Sequence, residues 1–397
     1  MFLVKILFLL LIIVCSAFYI LYIWDFSLVL LVVIISVPVM MFLMLFITKK
    51  MTSVSFAVKD KNSAKNEPFD IQLCVKNRSI FPIGKAEALI EYYNIFNNQI
   101  NAIELHFPIQ PRNTQNLTFQ LSSKFCGVIN IRSAYITIYD PLRIFKFRIG
   151  KNISENIVIL PEGHDIGAAL SSNDRINDES PIYSDSKPGD DPSEVFDLRD
   201  YCPGDKLNRI HWKISSKRED FVVKEYSLPI DSPTMLFLNL HCLEDSEYTL
   251  PIFDTLIESL VSISQFLISK DRIHTFAYYN AAAKRFEKCI IDSEEALSSA
   301  VYEMIVSISD DLFSEDPDVF ISEQSSQGWS SFTFITAEEN SDILTYIDNE
   351  IDADIKNAVM VVKNEQHAAS VCSSYSSLNV HPVVIGRITS YVRDIEM

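Results

Sequence analysis

Residues 234–279 read "TMLFLNLHCLEDSEYTLPIFDTLIESLVSISQFLISKDRIHTFAYY", and this stretch decides the architecture of the C-terminal half. "TMLFLNLH" and "RIHTFAYY" are short, nearly continuous apolar runs, as expected of strands buried on both faces. Between them "FDTLIESLVSISQFLIS" (253–269) carries apolar residues at helical spacing. Strand, helix and strand in that order build a parallel pair with the helix as crossover. The alternation continues with a helix over 293–308, strand "FTFIT" (332–336), a helix over 342–351, strand "AVMVVK" (358–363), a helix over 365–375 and strand "HPVVIG" (381–386). Residues 231–397 are therefore predicted to form an α/β domain with a mostly parallel sheet covered by helices on both faces. "AKRFEKCII" (283–291) is the exception, predicted to pair antiparallel with the strand before it.

Upstream the period changes to two. "FDIQLCVKNRS" (69–79), "AIELHFPIQ" (102–110), "NLTFQLSS" (116–123), "GVINIRSAYITIYD" (127–140) and "ENIVILPE" (155–162) alternate apolar and polar residues between turn residues. About seven such segments predict an antiparallel β-sandwich over 51–161. From 162 to 196 the chain is acidic and rich in Ser, Asp, Gly and Pro, which reads as a linker.

The first fifty residues form another solvent class. "ILFLLLIIVCSAFYILYIW" (6–24) and "FSLVLLVVIISVPVMMFLMLFI" (26–47) each match the ~20 residues that cross a bilayer as helix. Asp25 is the sole charge between them, so residues 1–50 read as a tight transmembrane hairpin with Tyr22 and Trp24 at headgroup level. Lys5 before the first span and Lys49 and Lys50 after the second place both ends, and the soluble domains, on the cytoplasmic side of a plasma or inner membrane. The partner implied for residues 6–47 is the lipid bilayer. A cleaved secretory signal is the competing reading, but Val14 precedes Cys15 where a small residue is wanted, and a second span follows at once.

Net charge is −18. Such an acidic chain is not expected to bind nucleic acid, where affinity rests on neutralising phosphates. Seven cysteines, an odd number without CxxC spacing, indicate neither a disulfide framework nor a zinc site. No Gly-rich phosphate loop is visible, and no cofactor is expected.

Against this acidic background, residues 197–230 begin with "DLRDYCPGDKLNRIHWKISSKREDFVVKEYS" (197–227), dense in Lys, Arg and aromatic residues. "CPGD" is turn chemistry, with Pro203 fixing φ and Gly204 free to take a positive one. Ile210 and Trp212 are spaced to share a strand face, with Arg209, His211 and Lys213 on the other, and "DFVVKEYSL" reads as a second strand, so that two strands, or a strand and a short helical turn, project from the C-terminal sheet. Trp212 and Ile210 as core, and Arg199, Arg209 or Arg218 as ordinary surface ion pairs, is one reading. A docking patch of Arg and aromatic residues is the other. Cys202 with His211, or Ser215 or Ser216 with His211, would be the nucleophile of an uncharacterised hydrolase centred on 199–225, but no third group or elbow motif accompanies them.

The ordered set Arg199, Tyr201, Gly204, Asp205, Arg209, Ile210, Trp212, Ser215, Lys224 and Glu225, with the lead-ins "YDPLRIFKFRI" (139–149) and "ILP" (159–161), resembles the domain of unknown function 58 family, and the similarity of layout spans nearly the whole chain. The resemblance implies a von Willebrand factor A-like, Rossmann-like C-terminal domain and no established catalytic activity. It also implies partnership with MoxR-type AAA+ ATPases, often alongside transglutaminase-like membrane proteins, in assembling or activating other proteins. A metal-binding von Willebrand A domain carries Asp-x-Ser-x-Ser after its first strand. Here "NLHCLEDS" (239–246) puts Asn239, His241 and Leu243 at those positions, so no metal is predicted. Metal-dependent ligand binding by that edge stays as a further alternative.

Overall fold

The structure is a computed structural model of the 397-residue chain. It describes residues 2–22, 25–97, 99–150, 153–166, 183–189, 195–202, 205–206, 209–218, 220–229, 234–241, 247–308, 317–325, 327–338, 341–366, 368 and 378–388. Two compact units emerge, Met1–Lys124 with Val128–Ile159, and Phe125–Gly127 with Leu160–Met397.

The first unit opens with α1 (Phe2–Leu21) and α2 (Asp25–Met51), both long and apolar enough to cross a membrane and both largely unburied by the rest of the chain. Trp24 lies outside the described residues. At 27 residues, α2 is roughly 40 Å long by the standard helical rise, about 10 Å more than a hydrocarbon core requires. Its last turns pack on protein instead. Leu45 and Thr48 are buried there, and the helix runs directly into β1 (Thr52–Val58).

After β1 come β2 (Asn62–Ala64), β3 (Phe69–Asn77), β4 (Ile83–Asn94), β5 (Asn101–Ile109), β6 (Asn113–Leu121), β7 (Gly127–Tyr139), β8 (Lys146–Ile149) and β9 (Ser154–Leu160). They form two sheets, β1-β3-β6 and β2-β9-β7-β4-β5, with β8 added to β7. Alternate residues of both point into one core: Ile71, Leu73 and Val75 from β3 meet Ile90 of β4, Ile131 and Ile136 of β7 and Ile157 of β9, all fully buried. Two antiparallel sheets closed on a shared apolar layer make a β-sandwich.

In the second unit, β10 (Tyr183–Gly189) and β11 (Val195–Asp200) flank β12 (Val222–Pro229) in a three-stranded antiparallel sheet, with α3 (Trp212–Arg218) between β11 and β12. This corrects two expectations. The 162–196 span is not wholly a linker, because β10 and the start of β11 lie in it. "YSDSKPG" has no apolar alternation, but an edge strand is held by backbone bonds to its neighbour and tolerates Pro188 where the register shifts. Nor do Ile210 and Trp212 share a strand face. Ile210 makes one bridge to Val223 and the chain then turns into α3, so Ile210 is buried while Trp212 is 62 % exposed.

The large sheet has the order β15-β14-β13-β16-β17-β18, from β13 (Thr234–Leu238), β14 (His274–Asn280), β15 (Arg285–Ile291), β16 (Trp329–Thr336), β17 (Ala353–Val362) and β18 (Leu378–Val384). All pairings are parallel except β14 with β15, the predicted exception. Helices α4 (Thr249–Ser269) and α5 (Glu294–Ser307) contact each other and the sheet, as do α6 (Pro317–Gln324) and α7 (Ser341–Glu350). Met235 and Phe237 share a buried cluster with Phe320 of α6 and Leu344 of α7, while the alternate residues Leu236 and Leu238 point the other way. Ser293 caps α5 by accepting from the Ala296 amide, 3.3 Å. Although α4 is apolar and long enough to span a bilayer, most of it is buried as the sheet's covering helix. The helix expected over 365–375 lies mostly outside the described residues.

Phe237 is the centre of the sheet's aromatic layer, with ring centroids 4.6 Å from Phe320, 5.4 Å from Phe334 and 5.8 Å from Phe286. Phe237→Ala is expected to cost ~3–5 kcal/mol. Guanidinium unfolding of the detergent-solubilised chain, followed through buried Trp329, measures it; a loss below ~1 kcal/mol would contradict this packing.

Candidate functional site

The 199–225 segment is built around one fork. Arg199, in β11, grips Asp205 with both terminal nitrogens, Nη1 to Oδ2 at 2.8 Å and Nη2 to Oδ1 at 2.7 Å. The Cys202 amide donates to the same carboxylate at 2.8 Å, and the Asp205 amide donates back to the Cys202 carbonyl at 3.0 Å. That last bond closes the turn read from "CPGD", although Pro203 and Gly204 themselves lie outside the described residues. The Arg199 guanidinium, then the Cys202 amide, hold the Asp205 carboxyl at about 2, below its ordinary 3.8.

The second fastening is Ser215. Its buried hydroxyl donates to the His211 carbonyl (3.1 Å) and accepts from the Val222 amide (3.0 Å), tying α3 to β12. Backbone bonds from His211 to Val222 and from Tyr201 to Phe221, both 2.8 Å, complete the frame. The Nδ1 of His211 accepts from the Ile214 amide at 3.4 Å, so it serves as a helix cap rather than a base for Ser215.

What this frame presents outward is chiefly aromatic and basic, with Asp200 and Asp220 also exposed. Phe221 (55 % exposed) stands edge-on to Trp212 at 6.2 Å and to Tyr201 at 6.1 Å. Lys206, Lys213, Lys217 and Arg218 are exposed in the same segment; Arg209 and Lys224 are half-buried. Glu225 lies in β12 opposite Asp197, its side chain outside the described set. Sequence reasoning missed Phe221, which a solvent-exposed aromatic before a strand does not advertise.

The other predicted edge lies where β13 and β16 are adjacent and their connections diverge, the switch point at which open α/β sheets bind ligands. Asn239 is buried there. Its Nδ2 donates to Thr336 Oγ1 (3.3 Å) and Glu338 Oε2 (3.4 Å), and its Oδ1 accepts from the His241 amide (3.0 Å). The His241 ring meets Glu338 at 3.1 Å. Thr336 and Glu338 were not singled out in the sequence because they enter from a strand nearly a hundred residues away. Leu243 lies outside the described residues. The donors do not fit a hard divalent cation: the amide turns its NH₂ toward the carboxylate, and that carboxylate is already paired with His241. Among the described residues, no group of three His, Cys, Asp or Glu side chains could hold a metal ion.

No protein-family model and no curated protein matches the sequence. Solved structures similar to parts of it include the CARDB domain of a Pyrococcus furiosus protein, at 13 % identity and TM-score 0.21, over 27 % of this chain and 91 % of that one. A cohesin module from a Clostridium perfringens glycoside hydrolase is 13 % identical, with TM-score 0.21, over 28 % of this chain and 99 % of that one. A superoxide reductase from Ignicoccus hospitalis is 16 % identical, with TM-score 0.19, over 28 % and 85 %. At these scores they assign no function.

The lowered Asp205 value sets a pH dependence. A depressed carboxyl contributes stability above its unfolded value and loses it as pH falls through the folded one. The turn should therefore be intact at neutral pH and released between pH 3.8 and about 2. Carboxyl-carbon NMR of the ¹³C-aspartate-labelled chain is expected to show Asp205 titrating near 2, and higher, toward 3.8, in Arg199→Ala, where the Cys202 amide remains; identical midpoints in both would discount the fork. At the sheet edge, Asn239→Asp sets a carboxylate against Glu338 and removes two donors. It is expected to lower stability by ~1–3 kcal/mol at neutral pH, read as a drop in thermal midpoint.

Proposed function

We propose that the protein is a membrane-anchored, non-catalytic adaptor whose C-terminal domain is von Willebrand A-like and whose 199–225 segment docks an acidic protein surface. In line with the family resemblance, the partner is a MoxR-type AAA+ ATPase, acting in assembly or activation of a complex that can include a transglutaminase-like membrane protein. The domains face the cytoplasm, as the lysines closing the spans favour.

One observation carries the reading: Trp212 and Phe221 stand edge-on and mostly exposed, with Lys213, Lys217 and Arg218 exposed on the same short helix as Trp212, on a frame fastened by Arg199–Asp205 and Ser215. Exposed aromatic residues ringed by cations on a rigid support are what binding hot spots are made of, and preorganisation spares the partner the entropy of ordering them. Of the hydrolase readings, the pairing of Ser215 with His211 is disfavoured by what the two side chains already hold. The Ser215 hydroxyl serves the backbone, and the His211 Nδ1 serves a helix end. The six-stranded order with β13 central agrees with the von Willebrand A reading, and the Asn239–His241–Glu338 network agrees with an edge that works without metal.

Pull-down from native membranes tests this. Intact protein is expected to retain an AAA+ ATPase, and Trp212→Ala/Phe221→Ala to weaken capture at least about tenfold, since each hot-spot aromatic contributes ~2 kcal/mol or more. Circular dichroism should show both chains equally folded, because neither ring is core. Equal recovery by both would overturn the docking role.

A further inference from the structure

At the end of the sandwich where α2 leaves it, three loops converge. The Arg78 amide donates to the Met51 carbonyl (3.1 Å), Thr48 meets Ser79 through their hydroxyls (3.4 Å), and the Arg112 amide donates to the Ser79 carbonyl (3.0 Å). Phe145 in the 140–145 loop lies 5.5 Å from Phe42 of α2. The centre of this end is rigid. Asn77 and Ser79 are fully buried; Asn77 accepts from the Ser79 amide and hydroxyl and donates to the Phe81 and Gln110 carbonyls.

Its rim is cationic. Lys49, Lys50, Arg78, Arg112, Arg143 and Lys146 are all exposed there. The one acid in these stretches, Asp140, is buried, and its carboxylate is taken by the Leu142 amide (3.1 Å) and the Phe145 amide (2.6 Å). Glu87, further along β4, is held by Lys85 at 2.6 Å and by Tyr139. Two large apolar side chains project from the same loops, Ile80 at 61 % and Leu142 at 42 % exposure. Arg112 and Arg143 sit at loop tips with φ of 51° and 54°, the left-handed region that favours glycine, so each keeps its charge against a backbone cost.

We propose that this face is a peripheral membrane-binding surface, with the six cations on anionic phospholipid headgroups and Ile80 and Leu142 in the interface. It rests on the reading that α2 crosses the bilayer. The occupant follows from continuity, since α2 delivers these loops to the bilayer surface, and from charge, since six exposed cations without an ion pair among the described residues, on a chain of net −18, match an anionic leaflet. Its residues are not those of the 199–225 segment, and it takes a different ligand.

Amide hydrogen exchange on the full chain tests it in nanodiscs of phosphatidylcholine with and without phosphatidylglycerol. Exchange in 78–82 and 140–145 is expected to slow at least about fivefold on the anionic discs, the effect of one Lys or Arg near such a surface. Arg112→Gly/Arg143→Gly should abolish most of that difference while unfolding no more easily, because glycine relieves both positive φ values. Protected spans with loop exchange indifferent to lipid charge would overturn the docking face alone. Unprotected α1 and α2 would overturn the bilayer crossing on which it rests. Loop protection that instead grows with the number of copies per disc would assign the face to a second copy of the chain and overturn the lipid assignment.

Discussion

Four phenylalanine rings set the geometry of the first unit. Phe42 and Phe46, on the last turns of α2, pack against Phe145 and Phe147 at 5.5–6.3 Å, and Lys49 lies over Phe147. Because α2 passes into β1 without a linker, this contact converts an apolar helix into a rigid post carrying a sandwich. A flexible tether would leave the sandwich free to tumble above a bilayer. A packed helix end holds the same loops toward the helix at all times, which is why the cationic rim, Ile80 and Leu142 form one face.

The second unit applies a comparable economy to the basic segment. Its sheet is only three strands, with Ile210, Val222 and Val223 buried, and it adds polar fastenings: a bidentate Arg–carboxylate pair and a serine shared between helix and strand. Polar fastening leaves the aromatic side chains unspent, so Trp212 and Phe221 remain outside rather than forming a core. At the switch point of the large sheet the same kind of network has the opposite effect. Asn239, His241, Thr336 and Glu338 bond to one another, turning their polar groups inward to the network.

Much of the fold was legible because burial imposes a period. β3, β5 and β6 alternate in sequence as they do in exposure, and the parallel strands β13 and β16 are buried almost throughout because helices cover both sides. β4 escaped because "KAEALIEYYN" is rich in helix formers, and its strand state comes from pairing with β5 and β7 on both edges. β10 escaped because its partners are backbone groups, which leave no trace in side-chain pattern. α3 stayed open between strand and short helical turn because seven residues are too few for a 3.6-residue period to separate itself from alternation.

The sequence by itself determined the two apolar helices, the change from period two to alternating strand and helix, and the identity of most residues in the basic segment. These depend on composition and local spacing, which solvent transfer reads one residue at a time. Tertiary structure alone decided that Arg199 holds Asp205, that Ser215 is a fastener, that Trp212 is outside while Ile210 is inside, and that Glu338 meets His241. It also decided that six cations scattered over about a hundred residues become one rim. Each of these depends on which distant segments become neighbours, and a hydrogen bond or a patch of charge has no spacing rule along the chain.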